Sequence, residues 1–271
     1  MSRLLSIVLG MLLLASPAAA QAPKENLVIF GDSVAADPPL NDYLSSIAAK
    51  LTDLPGPQCP TSPESYGVNT AEQLGLEARD YSCAGAATTP SNLLELLNVT
   101  VESARPPFSE QVDRALAEGA LDAGTERILI TVGFNDTYSN YGDPTEAFLA
   151  AMLPQLERMR SAAPQARIQL VGYPSIVDGE HICLVNTDRL VRVHAPVFGV
   201  WERQAQDMNV ALAEAAGVEF LDLKEATAGR HMCASDEDRY WSAIVDDGPT
   251  NLPFHLNAPG HEYVAGIIAQ S

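Results

Sequence analysis

Arg127-Ile128-Leu129-Ile130-Thr131-Val132 is the stretch that decides the fold: six residues, mostly apolar and β-branched, stopped by Gly133. A run of that length bounded by a glycine reads as a buried strand. Working outward, Asn26–Phe30 is a similar run that stops at Gly31, Arg167–Gly172 is a third, and Val218–Leu221 and Arg79–Ser82 are shorter ones. Helical spacing lies between them. Ser65–Leu74 ends at Gly75, Pro106-Pro107 and Ser109 precede a helix reaching about Glu118, and Pro144–Ala162 is amphipathic although Pro154 should kink it. Pro196–Ala216 ends at Gly217, and Pro259–Gln270 closes the chain. Strands alternating with helices of this length predict βαβ units and an α/β fold around a parallel sheet. Asp37–Pro63 and Thr227–Phe254 show no clear period and are expected as long loops, of the kind that carries function.

The chain begins with Arg3, an apolar run from Leu4 to Leu14, and Ala18-Ala19-Ala20. A basic start, a short apolar core and an A-x-A end predict a signal peptide over residues 1–20, cut near Ala20, and export to the periplasm or the medium. The apolar run is short for a membrane span, so no stable membrane insertion is expected. The remaining chain, residues 21–271, has about 250 residues, enough for one domain with a sizeable core. Without Arg3 it carries 15 Lys and Arg against 35 Asp and Glu, a net charge of −20. Such a surface repels nucleic acid and anionic lipid at long range, so nucleic acid is not an expected partner. The protein is expected as a monomer. Its four cysteines are Cys59, Cys83, Cys183 and Cys233. In an oxidising compartment they suggest two disulfides, with three pairings open, the sequence-local one being Cys59–Cys83 with Cys183–Cys233. A zinc site would compete for the same thiols, but no C-x2-C pair is present, and neither metal nor cofactor is expected.

In open α/β sheets ligands bind beyond the carboxyl ends of the strands. Ser33, Gly85, Asn135 and Pro174 all follow predicted strands at that edge. Taken singly, each motif has an ordinary reading. Gly31-Asp32-Ser33 is composed of turn residues, and Gly133-Phe134-Asn135-Asp136 could cap a helix. His255, just ahead of the last helix, suits a general base, since neutral imidazole accepts a proton near pH 7. His261 is expected to face solvent or pack locally, and His181 and His194 to be structural or solvated.

Together the blocks Gly31-Asp32-Ser33, Gly85 in Cys83-Ala84-Gly85-Ala86, Gly133-Phe134-Asn135-Asp136, and His255 with Asn257 and Gly260 resemble the GDSL (SGNH) hydrolase family, in the family's order and across the whole chain after the leader. Cys59-Pro60-Thr61-Ser62 with Tyr66, Cys83 through Thr89, and His231-Met232-Cys233 with Trp241 are similar to its secreted, disulfide-bonded esterase/lipase branch. That branch supports the local cysteine pairing, and usually has a further disulfide that this chain lacks. The resemblance implies a single flavodoxin-like three-layer α/β/α domain and a serine esterase or lipase acting on a small-molecule, lipid or glycan ester. Ser33 would be the nucleophile and His255 its base. The backbone N–H groups of Ser33 and Gly85 and the Asn135 side chain would form the oxyanion hole. Asp32 and Asp136 would shape turns.

The chain departs from the family where an Asp commonly stands three residues before the histidine. That position is Leu252, and the usual Pro after the histidine is Leu256. The backbone carbonyl of Leu252 is the expected partner of the imidazole, ahead of Asp246 or Asp247 folding back. A carbohydrate O-acetylesterase, or a secreted binding protein without turnover, are the alternative functions. The Leu93–Val101 run could furnish the apolar rim a lipase needs, although such a run more often faces the core.

Overall fold

The computed structural model describes residues 25–52, 58–90, 105–139 and 142–271. The predicted signal peptide and the Leu93–Val101 run lie outside the described residues. In chain order the strands are β1 (Asn26–Gly31), β2 (Glu77–Asp80), β3 (Thr125–Thr131), β4 (Arg167–Val171), β5 (His181–Asn186), β6 (Leu190–His194), β7 (Glu219–Leu221) and β8 (Val245–Asp246). The helices are α1 (Ser33–Ala36), α2 (Leu40–Thr52), α3 (Tyr66–Leu74), α4 (Phe108–Ala117), α5 (Phe134–Ser139), α6 (Thr145–Ala162), α7 (Pro196–Ala216) and α8 (Ala258–Gln270).

The main sheet has the order β2-β1-β3-β4-β7, and every pair in it is parallel. The strand order reverses between β1 and β3, which is where a doubly wound sheet opens a crevice for a ligand. Both faces are covered, so the central strands are apolar at nearly every position. Leu27, Ile29 and Leu129 pack on one side with Tyr66, Ala71, Val264 and Ile268 of α3 and α8. Val28, Phe30, Ile128 and Ile130 pack on the other with Phe108, Phe148, Met152 and Leu212 of α4, α6 and α7. This double burial is why NLVIF and RILITV read as continuous runs rather than alternating ones. Pro154 lies within α6, which continues through it.

One expectation needs correcting. Asp37–Pro63 is not a loop throughout, because α2 occupies Leu40–Thr52. It carries the helical spacing Leu40, Tyr43, Leu44 and Ile47, but Leu40 and Leu44 are exposed and the buried positions are Ser46 and Ala49. The structure also contains a hairpin, β5–β6, joined by β8 into a second small sheet, which the sequence pattern does not announce. The Thr227–Phe254 stretch is largely irregular as expected, with only the two-residue β8 inside it. The disulfides are Cys59–Cys83 and Cys183–Cys233, the sequence-local pairing. Among the described residues no helix is long and apolar enough to cross a membrane.

Candidate active site

The site begins where β1 runs out. A Cβ on Gly31 would lie 2.4 Å from the Thr131 carbonyl oxygen and 2.8 Å from the Ala35 Cβ, so only glycine lets β1 and β3 converge there. Gln111 of α4 pins the same residue from the side, its Oε1 accepting from Gly31 N–H at 2.9 Å and its Nε2 donating to Gly31 O at 2.8 Å. Asp32 then caps α1, its Oδ1 accepting from Val34 N–H at 2.9 Å, which leaves Ser33 as the first helical residue. Tyr173, which follows β4, donates its hydroxyl to Asp32 Oδ2 at 2.5 Å. Burial pushes the Asp32 carboxyl up to about 7, against the pull of the Tyr173 and Val34 bonds.

The loop after β2 crosses the end of β1, with Cys83 N–H donating to Gly31 O at 3.0 Å. It turns at Gly85, whose φ of +82° favours glycine, and this brings Gly85 into the same cavity as Ser33. Asp136 holds the far side of that loop. Its buried carboxylate accepts from the N–H and the hydroxyl of both Thr88 and Thr89. Asn135, beside it on α5, donates from Nδ2 to Ala86 O at 2.8 Å and accepts at Oδ1 from the Tyr138 hydroxyl at 2.6 Å. Both contacts fix the roll of the amide at the cavity wall.

His255 reaches Ser33 from the loop ahead of α8. Its Nε2 is 2.7 Å from Ser33 Oγ, and its Nδ1 is 2.8 Å from the carbonyl oxygen of Pro253. A carbonyl can only accept, so the proton sits on Nδ1 and Nε2 accepts from the serine hydroxyl. Burial among apolar side chains lowers the pKa of His255, while its bond to Pro253 and the charge of Asp37 raise it in part. Phe254 makes the reach across two residues feasible, being left-handed at φ 61°. Its amide donates to Ala243 O at 3.1 Å, and its ring meets Phe198 and Trp241. A left-handed aromatic residue is uncommon and costs roughly 1–2 kcal/mol, offset here by those contacts.

Three sequence readings change at this point. The Leu252 carbonyl does not meet the ring; it accepts from Ser242 and Thr250 hydroxyls at 3.1 and 2.8 Å. Asp246 is turned away and paired with the buried Arg239 at 2.7 Å, and Asp247, beside it in the chain, is not the group that receives the Nδ1 proton. His261 is buried rather than facing solvent, with Nδ1 accepting from Tyr66 N–H at 3.1 Å and Nε2 3.4 Å from Asp37 Oδ1. Sequence reasoning also missed Asn251, whose amide donates to Asp37 Oδ2 at 2.8 Å and Asp37 O at 3.0 Å, clasping the histidine loop to the end of α1. Pro174 itself stays behind the site, its carbonyl accepting from Lys224 at 2.9 Å. The neighbours Tyr173 and Ile176 line the cavity instead.

That cavity has a volume of about 370 Å³ and holds Ser33, Gly85, Asn135 and His255 together. Among the described residues fifteen line it and eight of these are aromatic, including both tryptophans of the chain. Tyr173 meets Phe134, Phe134 meets Tyr138, and Tyr138 meets Trp201, at 5.7, 6.4 and 5.7 Å between ring centroids. The sequence of contacts continues through Phe198 and Phe254 to Trp241, at 5.0, 5.3 and 6.5 Å. Trp241 in turn lies nearly parallel to the His255 ring.

The profile of the GDSL-like Lipase/Acylhydrolase family matches residues 29–263. Among solved structures the chain is similar to an extracellular lipase from Streptomyces rimosus, at 19% identity and a TM-score of 0.54 over 91% of this chain and 99% of that one. It is similar to phospholipase A1 from Streptomyces albidoflavus at 17% identity and a TM-score of 0.54, over 92% and 100%. It is also similar to Est24, a carbohydrate acetylesterase from Sinorhizobium meliloti, at 17% and 0.51, over 91% and 97%. At these identities the likeness is one of fold. No curated protein matches the chain.

Proposed function

The chain belongs to the GDSL-like lipase/acylhydrolase family, and from that premise we propose that it hydrolyses carboxylic esters through an acyl-enzyme on Ser33. The observation that carries the reading is the relay from Ser33 Oγ to His255 Nε2 at 2.7 Å, with Nδ1 held by the Pro253 carbonyl at 2.8 Å. Ser33 Oγ attacks the ester carbonyl carbon as its proton passes to Nε2. The negative charge that develops on the carbonyl oxygen is received by the N–H groups of Ser33 and Gly85 and by the Asn135 amide. Collapse breaks the bond to the alkoxy oxygen, which takes the proton from His255 and leaves as the alcohol. Water then attacks the acyl-serine by the same route and releases the acid. Among the described residues the Nδ1 acceptor is a main-chain carbonyl, with Asp37 acting only through its charge, so Ser33 and His255 act as a dyad whose tautomer is set by the main chain.

Export fits this chemistry. Residues 1–20 are a signal peptide cut near Ala20, and the two disulfides suit an oxidising compartment. Amino-terminal sequencing of exported protein should begin at or near Gln21.

The direct test is hydrolysis of short p-nitrophenyl esters. Wild type should turn over, and Ser33→Ala and His255→Ala should each lose activity by orders of magnitude. Equal activity in wild type and Ser33→Ala would end the assignment. Failure of Ser33 to react with an alkyl phosphonate would favour the non-catalytic reading.

A further inference from the structure

Resting on the acyl-enzyme reading above, we propose that the cavity beside Ser33 binds the acyl portion of the ester and selects an uncharged acyl group that carries an aromatic ring. The alcohol leaves first and the acyl group stays on Ser33, so we assign the acyl group to the ring-lined enclosure beside Ser33. That enclosure is a belt of rings in contact: Phe134, Tyr138, Trp201, Phe198, Phe254 and Trp241. Each ring meets the next at a steep tilt, at 59, 59, 68, 59 and 89° in turn. A belt built on tilted contacts offers a planar guest both faces and edges, the arrangement in which aromatic pairs gain energy beyond buried area.

The polar inventory excludes the other guests. Among the described lining residues there is no Lys or Arg, and Asp32 lies in the wall, so an anionic acyl group meets no counter-charge from them. Arg105, outside that lining, is engaged with the Asn135 carbonyl at 2.8 Å and with the Tyr138 ring. The hydroxyls of Tyr138 and Tyr173 already donate to Asn135 and Asp32. Tyr43 is the one further tyrosine among the described lining residues, so a sugar placed in the belt would bury most of its hydroxyls without partners, which is costly. An acetyl group alone would leave most of a cavity of about 370 Å³ unfilled. The released acid ionises to a carboxylate, and the same lack of cations favours its departure.

The experiment compares three ethyl esters that share one leaving group: ethyl 3-phenylpropanoate, ethyl 3-cyclohexylpropanoate and ethyl nonanoate. The three acyl groups have equal carbon number, so a difference in kcat/KM reports shape and π contacts. The phenyl ester should exceed the cyclohexyl ester by about tenfold, as two edge-on ring contacts imply. In Trp201→Leu the phenyl-to-cyclohexyl ratio should fall towards one. A ratio at or below one in wild type, or the nonanoate as the best substrate, would overturn the aromatic selection while leaving the esterase reading intact. Absence of turnover on all three and on p-nitrophenyl esters would instead remove the reading on which the proposal rests.

Discussion

Replacing Asp32 by Asn makes a buried carboxyl unable to ionise, and the consequence should depend on pH in a calculable direction. Asp32 is 1% exposed. Burial raises its pKa from 3.8 to about 7, opposed by the bonds from Tyr173 and Val34 and aided by the charge of Asp136. In the unfolded chain the same group titrates near its ordinary value. Between the two values the folded state holds the extra proton, so this group's contribution to stability falls as pH rises, from about pH 4 to about pH 7. At about 1.4 kcal/mol per pH unit, the loss between pH 5 and pH 8 comes to about 2–3 kcal/mol, since the folded group has itself ionised above pH 7. Asn keeps the shape and does not titrate. It also leaves the Tyr173 hydroxyl without its acceptor, so the variant starts less stable at pH 5. The quantity to measure is therefore the gap between the two proteins, by urea unfolding followed through tryptophan fluorescence with the disulfides intact. That gap should shrink by about 2–3 kcal/mol on going from pH 5 to pH 8. Asp80, also buried and raised to about 7, titrates in both proteins and cancels. A gap that stays constant across pH would refute the argument.

Because burial lowers the pKa of His255, the acidic limb of kcat/KM for a non-ionising ester should fall below pH 6.5; a limb at or above 6.5 would contradict the desolvated dyad. Asn251→Ala removes the donor to the buried Asp37 carboxylate, so stability should drop by about 1–3 kcal/mol and kcat should fall more than KM changes; an unchanged kcat would show that the clasp does not position His255. Cys59–Cys83 ties down the loop that presents Gly85, so Cys59→Ala should cost about 3–4 kcal/mol in unfolding free energy and lower kcat, read by calorimetry beside the ester assay.

The order of strands and helices is readable in the sequence because each central strand is buried on both faces and each flanking helix carries an apolar stripe. The exceptions have physical causes. Helix α2 has the apolar spacing Leu40, Tyr43, Leu44 and Ile47 but leaves Leu40 and Leu44 exposed and buries Ser46 and Ala49, and the β5–β6 hairpin exposes Leu184, Leu190 and Val191, so its strands lack the usual alternation. Ser33, Gly85, Asn135 and His255 are legible only jointly, because their blocks follow one another in the order of the family they resemble while each alone has an ordinary reading. The partner of His255 is half legible. The missing carboxylate points to a carbonyl, but which one depends on the φ of Phe254, and no residue code specifies a left-handed aromatic. His261 and Asn251 escape a reading of the sequence because their importance comes from Asp37, more than two hundred positions away in the chain and adjacent only after folding.

A main-chain oxygen exists whatever side chain stands at position 253. Point substitution of Pro253 therefore cannot delete the third group of the dyad, and an alignment would record no invariant residue for it. What must be preserved is the path of the backbone from Asn251 to His255. Inserting or removing a single residue in that span would leave every polar side chain of the site present, yet turn the imidazole away from its acceptor. At position 253 the loop is free in side chain, while its length is fixed.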